Sequence, residues 1–165
     1  MPQHYTIPRV DTPKLAIRTL DAVKKYVGKP LGPTEWVTID QERIDGFAEV
    51  TGDHQWIHVD VARASRDSPW KTTIAHGYLT LAMTPDLLGQ ILSIEGWSTA
   101  VNTGLDKLRF STPVPVGSRV RLKASIKDAR SVPKGGVRVT FAVRFEVEGA
   151  SKPALLANVN YVYFP

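Results

Sequence analysis

Cysteine is absent from the 165-residue chain. That excludes disulfides, thiolate metal sites and cysteine nucleophiles. No run approaches the ~18 consecutive apolar residues that a membrane span needs, so no membrane partner is expected. The N-terminal stretch MPQHYTIPRV lacks the basic segment and apolar segment of a secretory signal; the expected location is cytoplasmic. Internal repeats and low-complexity segments are absent too. Lys and Arg number 21 against 16 Asp and Glu, for a net charge of +5, yet no block of five or more cations occurs. The nearest thing to a patch is Lys107, Arg109, Arg119, Arg121 and Lys123. Charge spread in this way gives no specific reason to expect nucleic acid. It also suits an anionic small molecule such as a phosphorylated carrier.

What is present fits one soluble-type domain. The apolar content is 42%, ordinary for a globular chain, and the length allows one core rather than two. Residues 1–18 contain three prolines and little pattern, which predicts an extended arm ahead of a single domain over 19–165. Leu20, Val23 and Val27 fall at helical spacing before Gly28. TEWVTI alternates and predicts a strand. Asp40 is a good N-cap for a helix carrying Ile44, Phe47 and Ala48 on one stripe, and Gly52 ends it by admitting a left-handed backbone. Asp53 then opens a loop. Asp60 is placed to cap a further turn or two.

The segment IAHGYLTLAMTPDLLGQILSIEG is apolar nearly all round, which predicts a helix buried on most sides. Pro85 predicts a kink or a restart within it. Four stretches of strand character follow, over 99–110, 119–127, 137–148 and 154–164, separated by the turns STPVPVGS, SVPKGG and EGASKP. Consecutive strands with short turns predict an antiparallel sheet, and a helix this apolar must be covered. The expected fold class is therefore α+β, a curved antiparallel β-sheet wrapped around a long central helix.

The stretch TGDHQWIHVD, residues 51–60, sets two aspartates and two histidines within ten positions. Three readings compete: a catalytic pair, a metal site, and a solvated loop. His54 and His58 have i, i+4 spacing, and Asp53 or His76 would complete a two-histidine, one-carboxylate set. HQWIH lacks the glutamate of the zinc-protease motif, and no metal is expected.

FAEVTGDHQWIHVD, followed by IAHGYLTLAM and then GLDKLRFSTPVPVGSRVR, resembles the MaoC-like hydratases of the hot-dog fold, the (R)-specific enoyl-CoA hydratases and their relatives. The resemblance covers about residues 20–165. Gln55-Trp56 stands where the hydratase pattern usually has Asn-Pro, and is similar to the nodulation-protein-N-like branch. A serine that helps hold water in some hydratases aligns with Pro85, beside Thr84. The resemblance implies Asp53 and His58 as the catalytic dyad, with Asp60 as the aspartate of the His-x-Asp element. Ile74, His76 and Gly77 match the Ile-x-His-Gly element, and Gln55, Trp56, Ile74 and His76 are implied substrate-binding residues.

The implied reaction is hydration of a trans-2-enoyl-CoA to an (R)-3-hydroxyacyl-CoA. It uses no cofactor beyond the coenzyme A of the substrate thioester. Such chemistry needs a held and deprotonated water, a proton for the α-carbon and a donor to the thioester oxygen. Asp53 is read as the main base and His58 as the second partner of the water, with the reverse order left open. The backbone N–H of Gly77, where the buried helix begins, is the expected oxyanion donor. His76 is expected to bond across the loop. Lys71, Arg109 and Arg119 are candidates for the carrier's phosphates. A homodimer is implied, its sheets paired edge to edge. The alternatives are a hot-dog acyl-CoA thioesterase and a non-catalytic acyl-binding or signalling protein.

Overall fold

The computed structural model describes residues 14–165. Most of the arm expected over 1–18 lies outside the described residues; its last part contributes β1 (Leu15–Ile17), which pairs in parallel with β4 (Leu92–Ile94). A 3₁₀ turn over Asp21–Tyr26 takes the place of the helix predicted around Val23, and buries Val23. The short strands β2 (Pro30–Leu31) and β3 (Val37–Thr38) both lie along β6.

α1 (Gln41–Thr51) has the predicted ends. The Asp40 carboxylate accepts from the Arg43 N–H at 2.9 Å, and Gly52 is left-handed at φ 75°. α2 (Trp56–Val59) and α3 (Val61–Asp67) follow, with Asp60 accepting from the Arg63 N–H at 2.8 Å. The predicted loop after Asp53 is thus a single helical turn by Trp56.

The central helix is two segments, α4 (Gly77–Ala82) and α5 (Thr84–Ile91), interrupted at Met83. Pro85 is the second residue of α5, where its missing N–H would have no intrahelical partner. The restart keeps Leu79, Met83, Leu87, Leu88 and Ile91 buried.

Four long strands close over them: β5 (Thr99–Phe110), β6 (Arg119–Ser131), β7 (Val137–Val147) and β8 (Leu155–Phe164). The main sheet has the order β2-β6-β7-β8-β5 and is antiparallel throughout. Burial alternates strictly along β7, so Val139, Phe141, Val143 and Phe145 face the helix. The predicted wrapped sheet is what the chain forms. It leaves β5 as an edge strand and the start of α4 open to a cavity. No helix among the described residues is long and apolar enough to cross a membrane.

Candidate active site

The site begins at the left-handed turn of Gly52. This turn ends α1 and throws Asp53 out beside the start of α2. One turn of α2 then carries His58 inward, where only 7% of it stays accessible. The His58 Nδ1 lies 2.6 Å from the carbonyl oxygen of Ile74. A carbonyl only accepts, so Nδ1 carries the proton and Nε2 presents a lone pair. Burial pushes the His58 pKa below the ordinary 6.5; the neighbouring His76 acts in the same direction, while the Ile74 carbonyl and Asp53 oppose it. Burial wins, and the ring is held toward its neutral form.

His76, at the N-cap position of α4, lies parallel to His58 with ring centroids 3.8 Å apart. Its Nε2 donates to the backbone carbonyl of Asp53 at 3.0 Å, so it bonds across the loop. Its Nδ1 is buried with no hydrogen-bond partner among the described residues. One potential ligand atom from each of Asp53, His58 and His76 lies within 4.8 Å of the other two. The structure therefore brings His76, rather than His54, to Asp53 and His58: the His54 ring turns outward toward Glu49 at 3.7 Å. A two-histidine, one-carboxylate set is a possible metal donor set. A backbone carbonyl holds one nitrogen of each ring and fixes its orientation whether or not an ion is bound.

A cavity of about 400 Å³ opens beside this cluster. His58, Ile74 and Gly77 line it, as do Thr80, Phe110 and Leu155. Its walls are mostly apolar. Gly77 is at the first turn of α4, and a Cβ there would sit 2.8 Å from the Phe110 ring. Glycine is thus required for close packing, and the same bareness leaves the first-turn amides approachable. Gln55 and Trp56 stand at the start of α2 and are not among the cavity-lining residues; Trp56 lies under the Arg63 guanidinium at 4.3 Å. Asp60 serves as the cap of α3, and Thr84 returns its hydroxyl to the Leu81 carbonyl at 2.6 Å.

Two residues outside the sequence expectations matter. Gln41, in the first turn of α1, donates to the His58 carbonyl at 2.7 Å and to Asp45 at 2.7 Å, and accepts from the fully buried Thr73 hydroxyl at 2.6 Å. One amide therefore ties α1, α2 and the strand-like segment that carries Ile74. Phe110 forms the cavity wall over Gly77 and meets Tyr78 edge-on at 5.7 Å. Neither was legible, because an isolated glutamine or strand phenylalanine carries no local signal of its distant partner.

The sequence matches the MaoC like domain family over residues 22–147. It is 46% identical over 151 residues to 3-hydroxyacyl-thioester dehydratase Z of Mycobacterium tuberculosis, covering 88% of this chain and 99% of that one. It is 40% identical over 141 residues to Nodulation protein N of Rhizobium leguminosarum bv. viciae, covering 85% and 88%. The fold is similar to that of the R-hydratase PhaJ1 from Pseudomonas aeruginosa, with a TM-score of 0.64, 25% identity, and 84% and 81% of the two chains covered. The wrapped sheet is the hot-dog fold.

Proposed function

The chain belongs to the MaoC-like domain family, and from that premise we propose that it is an (R)-specific hydratase of trans-2-enoyl-CoA thioesters, acting reversibly as a dehydratase of (R)-3-hydroxyacyl-CoA. One observation carries the reading. A buried imidazole with its Nε2 lone pair free stands beside a carboxylate at the end of an apolar cavity. The dehydratase names among its relatives support a hydro-lyase as the coarser class.

In the hydration direction a water is held between the Asp53 carboxylate and His58 Nε2. Its oxygen bonds the β-carbon while one of its protons passes to the dyad. The alkene electron pair moves onto the α-carbon and thioester carbonyl, giving an enolate. A proton from the dyad then reaches the α-carbon, so the pair ends in the state in which it began. The first-turn amide of Gly77 is the donor proposed for the enolate oxygen. Ile74 and Phe110 border the acyl group. His76 holds the Asp53 backbone in place. No metal takes part. The working form is a homodimer in the cytoplasm, where CoA thioesters are at hand.

The test is the loss of enoyl absorbance with crotonyl-CoA and a longer enoyl-CoA, with the chirality of the product determined. Asp53→Asn and His58→Ala are each expected to lower kcat roughly 10²- to 10⁴-fold, the range for a lost proton-transfer group. Activity should survive a chelator. Release of free thiol instead of hydration would identify a thioesterase. Tight acyl-CoA binding without turnover would identify a non-catalytic acyl-binding protein.

A further inference from the structure

Four threonines are buried among the described residues: Thr34, Thr73, Thr80 and Thr84. Three of them are satisfied inside the protein. Thr34 donates to the Glu35 carbonyl at 3.0 Å and accepts from the Leu122 N–H at 3.0 Å. Thr73 donates to Gln41 at 2.6 Å, and Thr84 donates to the Leu81 carbonyl at 2.6 Å. Thr80 is the exception. The residue is 2% exposed, its hydroxyl makes no hydrogen bond to another described residue, and the oxygen is not among the fully buried atoms left without a partner, so it keeps open surface on the cavity that Thr80 lines. A hydroxyl that opens on a cavity and is not tied up inside the protein is free to donate to whatever the cavity holds. Valine has nearly the same shape and would fill the place without a donor to offer.

The position of Thr80 indicates what the hydroxyl is for. It lines the same cavity as His58 and Gly77. It lies three residues after Gly77 in α4 and so shares its face. Helical side chains lean toward the helix N-terminus, so the Thr80 side chain lies over the first turn of α4. The other hydroxyls on the cavity wall, those of Tyr78, Ser111 and Thr112, belong to more exposed residues.

We propose that the Thr80 hydroxyl is a substrate contact, donating a hydrogen bond to the thioester carbonyl oxygen beside the first-turn amide. This rests on the hydratase reading and adds a side-chain donor to it. The oxygen gains negative charge as the enolate forms, so a fixed donor there acts most strongly on the transition state.

Thr80→Val and Thr80→Ser separate this role from a structural one. With crotonyl-CoA, Thr80→Val is expected to lower kcat on the order of 100-fold, as removal of an oxyanion donor does. KM should change far less, and Thr80→Ser should keep most of the rate. Thr80→Val should unfold no more readily than the parent, because no internal hydrogen bond is lost. Turnover of Thr80→Val at the parent rate overturns the proposal. So does a lower melting temperature in Thr80→Val that Thr80→Ser restores, since that reveals an internal partner. If the parent protein does not hydrate crotonyl-CoA, the hydratase reading fails and calorimetric binding decides the contact. Weaker crotonyl-CoA binding by Thr80→Val alone then supports it, and equal binding by all three proteins overturns it.

Discussion

In the proposed reaction His58 must be neutral at Nε2 to accept a proton from water, and its burial favours that form. Burial lowers its pKa from 6.5, against the pull of the Ile74 carbonyl and Asp53. If that lone pair is needed, kcat/KM falls with acid only once His58 is protonated in the free enzyme. The midpoint assigned to His58 is therefore expected below 6.5, and a His58 limb centred above that value would contradict the geometry. The same shift bears on stability. Between 6.5 and the lower folded value, the unfolded chain binds a proton that the folded chain does not. The contribution is thus fully lost only below the folded pKa, and stability declines as pH drops from 6.5. Denaturant midpoints measured from pH 7.5 downward should show this decline weakened in His58→Gln. Of this, the sequence discloses His58 and its proposed partner Asp53 through the density of TGDHQWIHVD and its resemblance to a family. The tautomer is set by a carbonyl sixteen residues away, and no local pattern carries that.

At the scale of elements, the site is a junction of three short pieces held by Gln41. Its amide satisfies the His58 carbonyl and the Thr73 hydroxyl together. Gln41→Ala leaves Thr73, fully buried, without its acceptor. The expected cost is about 1–3 kcal/mol, the penalty for a stranded buried polar group, read as a lower denaturant midpoint. Gln41→Glu is the sharper variant. It keeps an acceptor for Thr73 but turns its other oxygen on the His58 carbonyl and the Asp45 carboxylate, so His58 is pushed from its place. Hydration should fall further in Gln41→Glu than in Gln41→Ala, and equal rates in both would show that the junction does not position the dyad. The elements themselves were legible where caps and alternation are local. Asp40 and Gly52 bound α1, and β5 spans the expected 99–110. α2 escaped because four residues carry no periodicity. The central helix was expected to kink or restart at Pro85, and it restarts: the break at Met83 puts the proline in the first turn of α5, where its missing N–H costs nothing.

The whole molecule leaves β5 with one bonded neighbour, β8, over its twelve residues. Its outer edge has no strand partner among the described residues. Val101 is 45% exposed, Phe110 47% and the adjacent Tyr78 65%. A long exposed edge with apolar side chains invites pairing with another strand, and the two bulges in β5 do not shorten it. A second copy of the chain, related by a two-fold axis, would set β5 antiparallel to β5 and cover both edges at once. Phe110 belongs both to that strand and to the cavity wall, so pairing would bring the partner to the cavity mouth and help exclude water from it. Sedimentation should therefore give about twice the 18.2 kDa of the chain. Placing lysines at both Val101 and Leu105 sets like charges across the two-fold and should yield the monomer, with hydration reduced although Asp53, His58 and Thr80 are untouched. A parent protein that sediments as a single chain at micromolar concentration, with full activity, would show that the cavity is complete without a partner and that β5 stays an open edge.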